Sequence, residues 1–306
     1  MDLLRLRSFV ESARLGSFAA AAEALGYTAP AVSQHIGHLE NELQCELLLR
    51  GARGVKLTTS GTVLLDRAER LLAEAHVAAL AVRESAGQLR SLRVGAFPSA
   101  AQRLVPEALA SLRADHADLE LALMHFEPPD GLTQLAAGEV DAVVSHRYPG
   151  VSWRCPTGVR TSTLAADALM LMVPDAHRLA SRSRVDIAQL RDEIFISGTS
   201  DDPNRVALAS ACAGAGFTPH VAFETVDYTA TANLVRHGFA IAVVPHLAWP
   251  ADTHGVARLS LRVPGGGILA RRILLAQRTG RTPALIAELR RYLLRSWQHA
   301  DAPGSS

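Results

Sequence analysis

The feature that most constrains this chain is one long amphipathic stretch from about Thr59 to Gln88. Leu64, Ala68, Leu71, Ala75, Ala78 and Val82 succeed one another at the alternating spacing of a heptad seam. Leu65, Leu72 and Ala79 widen the stripe, and Asp66, Arg67, Glu69, Arg70, Glu74 and Arg83 cover the other face. A long helix outside a globular domain needs something to bury its seam. A second copy of the chain is the simplest partner, and packing on the chain's own core is the alternative.

Ahead of this helix the sequence predicts a small helical unit. Residues 2–14 form a first helix with Leu3, Leu6, Phe9, Val10 and Ala13 on one stripe. The stretch Gly16 to Leu39 reads as two short helices joined by a tight turn. Ser17 is an N-cap, the alanine-rich run from Phe18 to Leu25 favours helix, and Gly26 suits a C-terminus with positive φ. Thr28 caps the next helix, with Pro30 in its first turn. Val32, Ile36, Leu39 and Leu43 make its apolar face. Pro30, Ser33, Gln34 and Gly37 lie opposite, with His35 and His38 at the margins. A small, polar, uncharged face of this kind can enter a major groove and read base edges, Gln34 foremost. Two such helices joined by a glycine also occur in all-α proteins that bind no DNA, so the flanking sequence decides. Leu47–Leu49 and Gly54–Leu57 read as short strands around Arg50, Gly51, Ala52, Arg53 and Gly54, the hairpin wing of a winged helix.

Beyond the helix, strands alternate with helices. Leu92–Phe97, Leu119–His125, Val140–Ser145, Leu169–Val173, Ile194–Ile196, Val221–Glu224, Ile241–Val244 and Arg271–Gln277 read as strands. Helices are expected from Pro98 to about Ala114, at Gly131–Ala137, Val185–Leu190, Pro203–Ala215 and Tyr228–His237, and after Thr282, with a disordered tail over 299–306. This alternation implies open α/β sheets.

Composition narrows the function classes. The chain has 306 residues, 48% of them hydrophobic and 20% charged, which describes a multidomain globular protein. Its net charge is +1. Within residues 1–58, Arg5, Arg7, Arg14, Arg50, Arg53 and Lys56 are matched by Asp2, Glu11, Glu23, Glu40, Glu42 and Glu46. A broadly basic DNA-binding unit is therefore excluded, and phosphate contact must come from local placement and helix N-termini. No apolar run reaches membrane-span length and no signal peptide is evident, so a cytoplasmic protein with no membrane partner is expected. Cys45, Cys155 and Cys212 show neither a disulfide framework nor zinc spacing, and no cofactor or metal is expected.

Residues 1–90 resemble the N-terminal region of LysR-type transcriptional regulators. LRSFV at 6–10, GSFAAAAEAL at 16–25, PAVSQHIGHLENEL at 30–43, RGARGVKLT at 50–58 and TTSG at 58–61 carry the resemblance. LRVGAFPSA at 92–100, GEVDAVVS at 138–145, LMLMVPDAHRLA at 169–180 and LVRHGFAIAVVP at 234–245 are similar, more loosely, to the family's effector-binding portion. The resemblance implies an α/β protein. It comprises a winged helix-turn-helix over 1–58, a linker and dimerisation helix over 59–89, and a two-subdomain effector domain of periplasmic-binding-protein type II. Subdomain I would span 91–163 and 268–298, subdomain II 164–266, with crossovers near Ser162–Ala165 and Pro264–Leu269. By matching position, DNA contacts would come from Ala29, Pro30, Ser33, Gln34, His35, Arg50 and Arg53. The effector cleft would use Pro98, Ser99, Ala100, His146, Arg147, Gly198, Thr199, Tyr228 and Thr229, with the Ser99 and Thr199 hydroxyls cradling an anion. Implied partners are double-stranded DNA, a small-molecule effector, further copies of the chain as a homodimer or tetramer, and RNA polymerase. Gly37 and His38 depart from the family pattern, where arginine is frequent, and Ala117 stands where proline is common.

Rival readings are weaker. Ser99, His146 and Asp141 could be imagined as a hydrolase set, but no nucleophile elbow accompanies them. A solute-binding protein would explain only the second half. A thiol sensor would pair Cys155 with Cys212, far apart in sequence.

Overall fold

The computed structural model describes residues 1–51, 54–85, 91–152, 154–280 and 282–300. The N-terminal unit packs α1 (Leu3–Leu15), α2 (Phe18–Leu25) and α3 (Ala29–Leu43) beside a hairpin of β1 (Leu48–Gly51) and β2 (Gly54–Leu57). Each helix starts and stops on residues suited to the task. Asp2, Ser17 and Thr28 accept backbone N–H groups at the three N-termini, and Gly16 and Gly26 end α1 and α2 in the left-handed region. Leu6, Phe9, Val10, Ala21, Ala22, Val32, Ile36, Leu39, Leu47 and Leu48 form its core. The wing is seated on α1: Val55 donates to the Gly16 carbonyl at 2.9 Å. Gly54 has φ +109°, and a Cβ there would stand 2.2 Å from the same oxygen, so only glycine fits.

Helix α4 (Thr59–Ser85) leaves this unit. Thr58 Oγ1 accepts from the Gly61 N–H at 2.9 Å and donates to the Glu46 carbonyl, which ties the helix start to the wing. The seam expected on α4 divides. Ala68 is fully buried and Leu64 half-buried against the chain's own N-terminal core. Ala68 therefore has no surface left for a dimer seam, and Leu64 has only part of one. Leu71, Ala78 and Val82 are exposed and Ala75 is half-buried. Val63, at 64% exposed, lies beside this exposed stripe. Residues 86–90, the expected end of the helix, lie outside the described residues.

The remainder is one continuous hydrogen-bonded path of strands that folds as two α/β sheets. The first sheet holds β3 (Ser91–Ala96), parallel to β4 (Glu120–His125) and β5 (Ala142–Arg147). A long strand, β6 (Val159–Pro174), joins the two sheets. The second sheet holds β7 (Arg184–Asp186), β8 (Ile194–Ser197), β9 (His220–Glu224), β10 (Ile241–Pro245) and β11 (Val256–Arg262). The chain then returns to the first sheet as β12 (Ala270–Arg278), antiparallel to β5 and to the first part of β6. Helix α5 (Val105–Asp115), preceded by a π-helical turn over Ala100–Leu104, α6 (Asp130–Ala137) and α9 (Ala284–Ala300) cover the first sheet. Helices α7 (Pro203–Gly214) and α8 (Tyr228–Arg236) cover the second.

Two expectations need correction. Strand β6 pairs with β12 as far as Ala168 and with β10 from Leu169, so the first crossover falls at 168/169 rather than at Ser162–Ala165. The second lies just before Ala270, at the expected segment: the Leu269 carbonyl accepts from Leu169 N–H at 2.8 Å. Helix α9 runs through His299 and Ala300, past the expected start of a disordered tail, whose remaining residues, 301–306, lie outside those described.

Candidate functional site

The candidate DNA-facing element is α3. Its buried face, Val32, Ile36 and Leu39, docks on α1 and α2. Pro30, Gln34 and His38 are exposed and Ser33 is half-exposed. Two of the expected contact residues serve the fold as well. Ala29 packs against the core, and His35 is half-buried, with Nδ1 2.8 Å from Ser8 Oγ and its ring edge-on to Tyr27. His35 thus orients α3 from within the unit. Glu40, on the flank of α3, accepts from the Leu47 and Leu48 N–H groups at 2.8 and 3.2 Å, which locks the wing to the helix. Arg50 is exposed, its guanidinium 5.2 Å above the Phe18 ring, an arrangement that holds the charge beside α2. Arg53 lies outside the described residues.

The second site is a cavity of about 870 Å³ between the two α/β subdomains. It lies where β3 and β5 end and α7 and α8 begin, the position at which open α/β sheets take ligands. Pro98, Ser99, His146, Tyr228 and Thr229 line it. The other expected residues do not. Ala100 is fully buried in the core of the first subdomain, and Arg147 follows His146 in β5, so strand alternation turns it outward. Gly198 borders a smaller recess, and Thr199 is exposed, its hydroxyl donating to Asp201 at 2.7 Å. Nor does Ser99 cap its helix. No cap bond forms, and its Oγ accepts from Arg271 Nη2 at 2.9 Å.

Sequence reading missed the centre of this wall. Arg271 on β12 is 3% exposed and donates through Nε to Asp167 on β6 at 2.8 Å. Asp167, wholly buried, also accepts the Leu247 N–H at 3.0 Å just after β10. Arg271 lies 4.8 Å over the Phe97 ring and 6.0 Å from the centre of Tyr148. The pair stands one residue from both crossovers. The chain Ser99–Arg271–Asp167–Leu247 therefore links the cleft wall to the point where the subdomains join. His146 packs edge-on between Phe97 and Tyr148, at 4.7 and 5.3 Å. Burial lowers its pKa, opposed by Glu127, with Arg271 adding to the lowering, so the ring is neutral at pH 7. Burial pushes the Tyr148 hydroxyl up to about 12 and raises Tyr228 as well, so both remain protonated donors.

This geometry excludes the rival sets. Asp141 is held by Arg93 and Arg278, not by His146, so no Ser–His–Asp relay exists. Cys155 and Cys212 sit in separate hydrophobic clusters, and burial raises both thiols, Cys212 to about 12. Neither is poised as a thiolate. Among the described residues no helix is long and apolar enough to cross a membrane.

Comparison with known proteins agrees with these two modules. The model of the bacterial regulatory helix-turn-helix protein, lysR family, matches residues 3–62, and that of the LysR substrate binding domain matches residues 85–298. The transcriptional regulator XapR of Escherichia coli strain K12 is 27% identical over 258 residues, which covers 81% of this chain and 85% of that protein. A full-length OxyR variant from Pseudomonas aeruginosa superposes with a TM-score of 0.71 at 22% identity, over 96% of this chain and 98% of that one. Full-length CbnR, solved with its target DNA, superposes with a TM-score of 0.53 at 23% identity, over 97% and 99% of the two chains. The chain belongs to the LysR family of transcriptional regulators, DNA-binding proteins rather than enzymes, with a helix-turn-helix module and a substrate-binding module.

Proposed function

We propose that this regulator is a cytoplasmic homo-oligomer that reads double-stranded DNA through α3 and the wing and responds to a small molecule bound between its two α/β subdomains. The observation that carries the reading is the cleft itself. Its wall residue Ser99 is hydrogen-bonded through Arg271 and Asp167 to the two strand crossovers. A ligand that touches Ser99 and Arg271 on one subdomain and Tyr228 and Thr229 on the other favours one angle between them. In an assembly of copies joined through the exposed stripe of α4, that angle sets the spacing of paired recognition helices on DNA. The spacing in turn sets promoter bending and the access of RNA polymerase.

Within each module the labour divides by charge. Residues 1–58 carry no net charge, so Gln34 and Ser33 supply base readout. The helix N-terminus at Thr28–Ala31, Arg50 and Arg53 supply phosphate contact, doubled by a second copy. The test has two arms. Footprinting of the protein on DNA upstream of its own gene should show protection, and its absence would refute the DNA reading. A thermal-shift screen of metabolites should give hits, because a ligand at one hundred times its Kd stabilises the fold by about 2.7 kcal/mol. A hit that does not alter the footprint would sink the coupling.

A further inference from the structure

The strongest unexplained feature of the cleft is a small recess in its second wall, of about 20 Å³, which shares Asp202, Asn204, Val226 and Tyr228 with the main cavity. That space holds one non-hydrogen atom with its hydrogens, the size of a water or of a ligand's terminal group. Two side chains there are more than nine-tenths buried and carry a polar atom with no hydrogen-bond partner among the described residues: Asn204 Oδ1 and Ser197 Oγ. The orientation of Asn204 follows from its neighbour. Its Nδ2 donates to the Val243 carbonyl at 3.0 Å, which fixes the amide, and its Oδ1 is the atom with no partner. Asp202 is the one charged residue among those that line it, and apart from the Asn204 amide the rest of the lining is apolar or hydroxylic. An unpaired buried acceptor is costly unless something donates to it.

We propose that this recess is the specificity subsite of the effector and that it takes a primary ammonium group, so the effector of this regulator is an amine. The proposal rests on the reading of the cleft as the effector site. An ammonium has three donors and no acceptor. Asn204 Oδ1, Ser197 Oγ and the Asp202 carboxylate match that inventory. A carboxylate or phosphate end would meet acceptors and a like charge, and is rejected here. The opposite wall, with Arg271 and Ser99, presents donors instead, so the amine takes one orientation in the cleft.

The experiment uses the full-length protein and matched triplets of small molecules that share one carbon skeleton and end in an amine, a hydroxyl or a hydrogen. Triplets from two to eight carbons, aliphatic and aromatic, are screened by thermal shift, and hits are titrated calorimetrically. The amine is expected to bind at least ten-fold more tightly than its hydroxyl or hydrogen counterpart. Asp202→Asn keeps the cap on α7, since asparagine accepts the Asn204 and Arg205 N–H groups as aspartate does, but removes the charge. It should cost the amine ten-fold or more and leave the hydroxyl compound unchanged. Ser197→Ala, a change of one atom, should weaken the amine several-fold with the melting temperature retained. Equal binding across a triplet, or equal loss of all three members in Asp202→Asn, would overturn the proposal and show that water alone fills the recess, while the effector reading stands. A hydroxyl member that binds best would overturn the ammonium. No shift with any member of any triplet or of the metabolite screen would remove the effector reading and this inference with it.

Discussion

Arg271→Leu is the sharpest perturbation of the regulatory module. In the native protein Asp167 is wholly buried and accepts two hydrogen bonds, from Arg271 Nε and from the Leu247 N–H. Removal of the guanidinium leaves a buried carboxylate with one neutral donor, and breaking a buried pair from one side costs about 3–5 kcal/mol. The apolar volume over Phe97 is refilled by leucine, so the electrostatic loss dominates. The double variant Arg271→Leu with Asp167→Asn removes the charge and keeps an oxygen for Leu247. Its cost should fall to about 1–2 kcal/mol, that of imperfectly paired neutral groups. The double variant is thus expected to be more stable than the single one. Urea unfolding followed by tryptophan fluorescence reads this directly, because Trp153, Trp249 and Trp297 all lie after the linker helix and report only on the regulatory module. A midpoint for Arg271→Leu within about 1 kcal/mol of wild type would refute the reasoning, as would a double variant whose losses simply add.

Three further outcomes follow from the geometry. Gln34→Ala should cost about 1–3 kcal/mol on the cognate site and almost nothing on random DNA, measured by fluorescence anisotropy on both; equal losses would remove Gln34 from base readout. Leu71→Asp, on the exposed stripe of α4, should yield folded monomers in light scattering, whereas Ala68→Asp should unfold the N-terminal unit, because Ala68 is in its core. His146, held below its usual pKa by burial, takes up a proton more readily in the unfolded chain. Stability is therefore fully present above pH 6.5 and falls below it, at up to about 1.4 kcal/mol per pH unit, and a His146→Leu variant should lose that part of the acid slope in melting curves at pH 7.5 and 5.5.

Local chemistry made the N-terminal unit legible. Ser17, Gly26 and Thr28 cap helices through bonds within three or four residues, and glycines such as Gly54 mark close backbone approaches. Features that depend on distant partners did not read through. Strand β6 was expected only at Leu169–Val173, because its first half, rich in serine, threonine and alanine, faces a different sheet from its second. His146 and Arg147 were both expected in the cleft, because the strand was expected to end at Ser145; β5 runs on to Arg147, and alternation turns that side chain away while Tyr148 went unnoticed. The Asp167–Arg271 pair spans 104 residues. A faint signal existed on one side only: Asp167 is the sole charge from Thr161 to Pro174, and a charge so placed requires a buried partner, whereas Arg271 is one of three arginines in β12 and does not stand out. The α4 seam misled for the opposite reason. A heptad spacing specifies that a stripe is buried, not by what, and the chain's own N-terminal core claimed Ala68 and part of Leu64 first.

How a cleft ligand would reach the DNA is decided by magnitudes. The N-terminal unit and α4 also touch the regulatory module within one chain. Arg7 pairs with Glu139 at 3.5 Å, Arg70 donates to Thr157 Oγ1 at 3.0 Å, and a polar cavity of about 230 Å³ separates α1 from the end of α6. Arg7 and Glu139 are 57% and 42% exposed. An ion pair so exposed is worth about 0–1 kcal/mol, and one added hydrogen bond about 0.5–1.5. To swing a two-state equilibrium from one extreme to the other takes about 5.5 kcal/mol. These two polar contacts are too weak to throw a switch of that size alone, which favours the proposed spacing of copies as the means of control. Glu139→Gln should therefore keep the effector-dependent change in the footprint and move the half-maximal effector concentration by less than ten-fold. A variant that binds DNA and effector normally but no longer couples them would place the switch in that contact and refute the spacing mechanism.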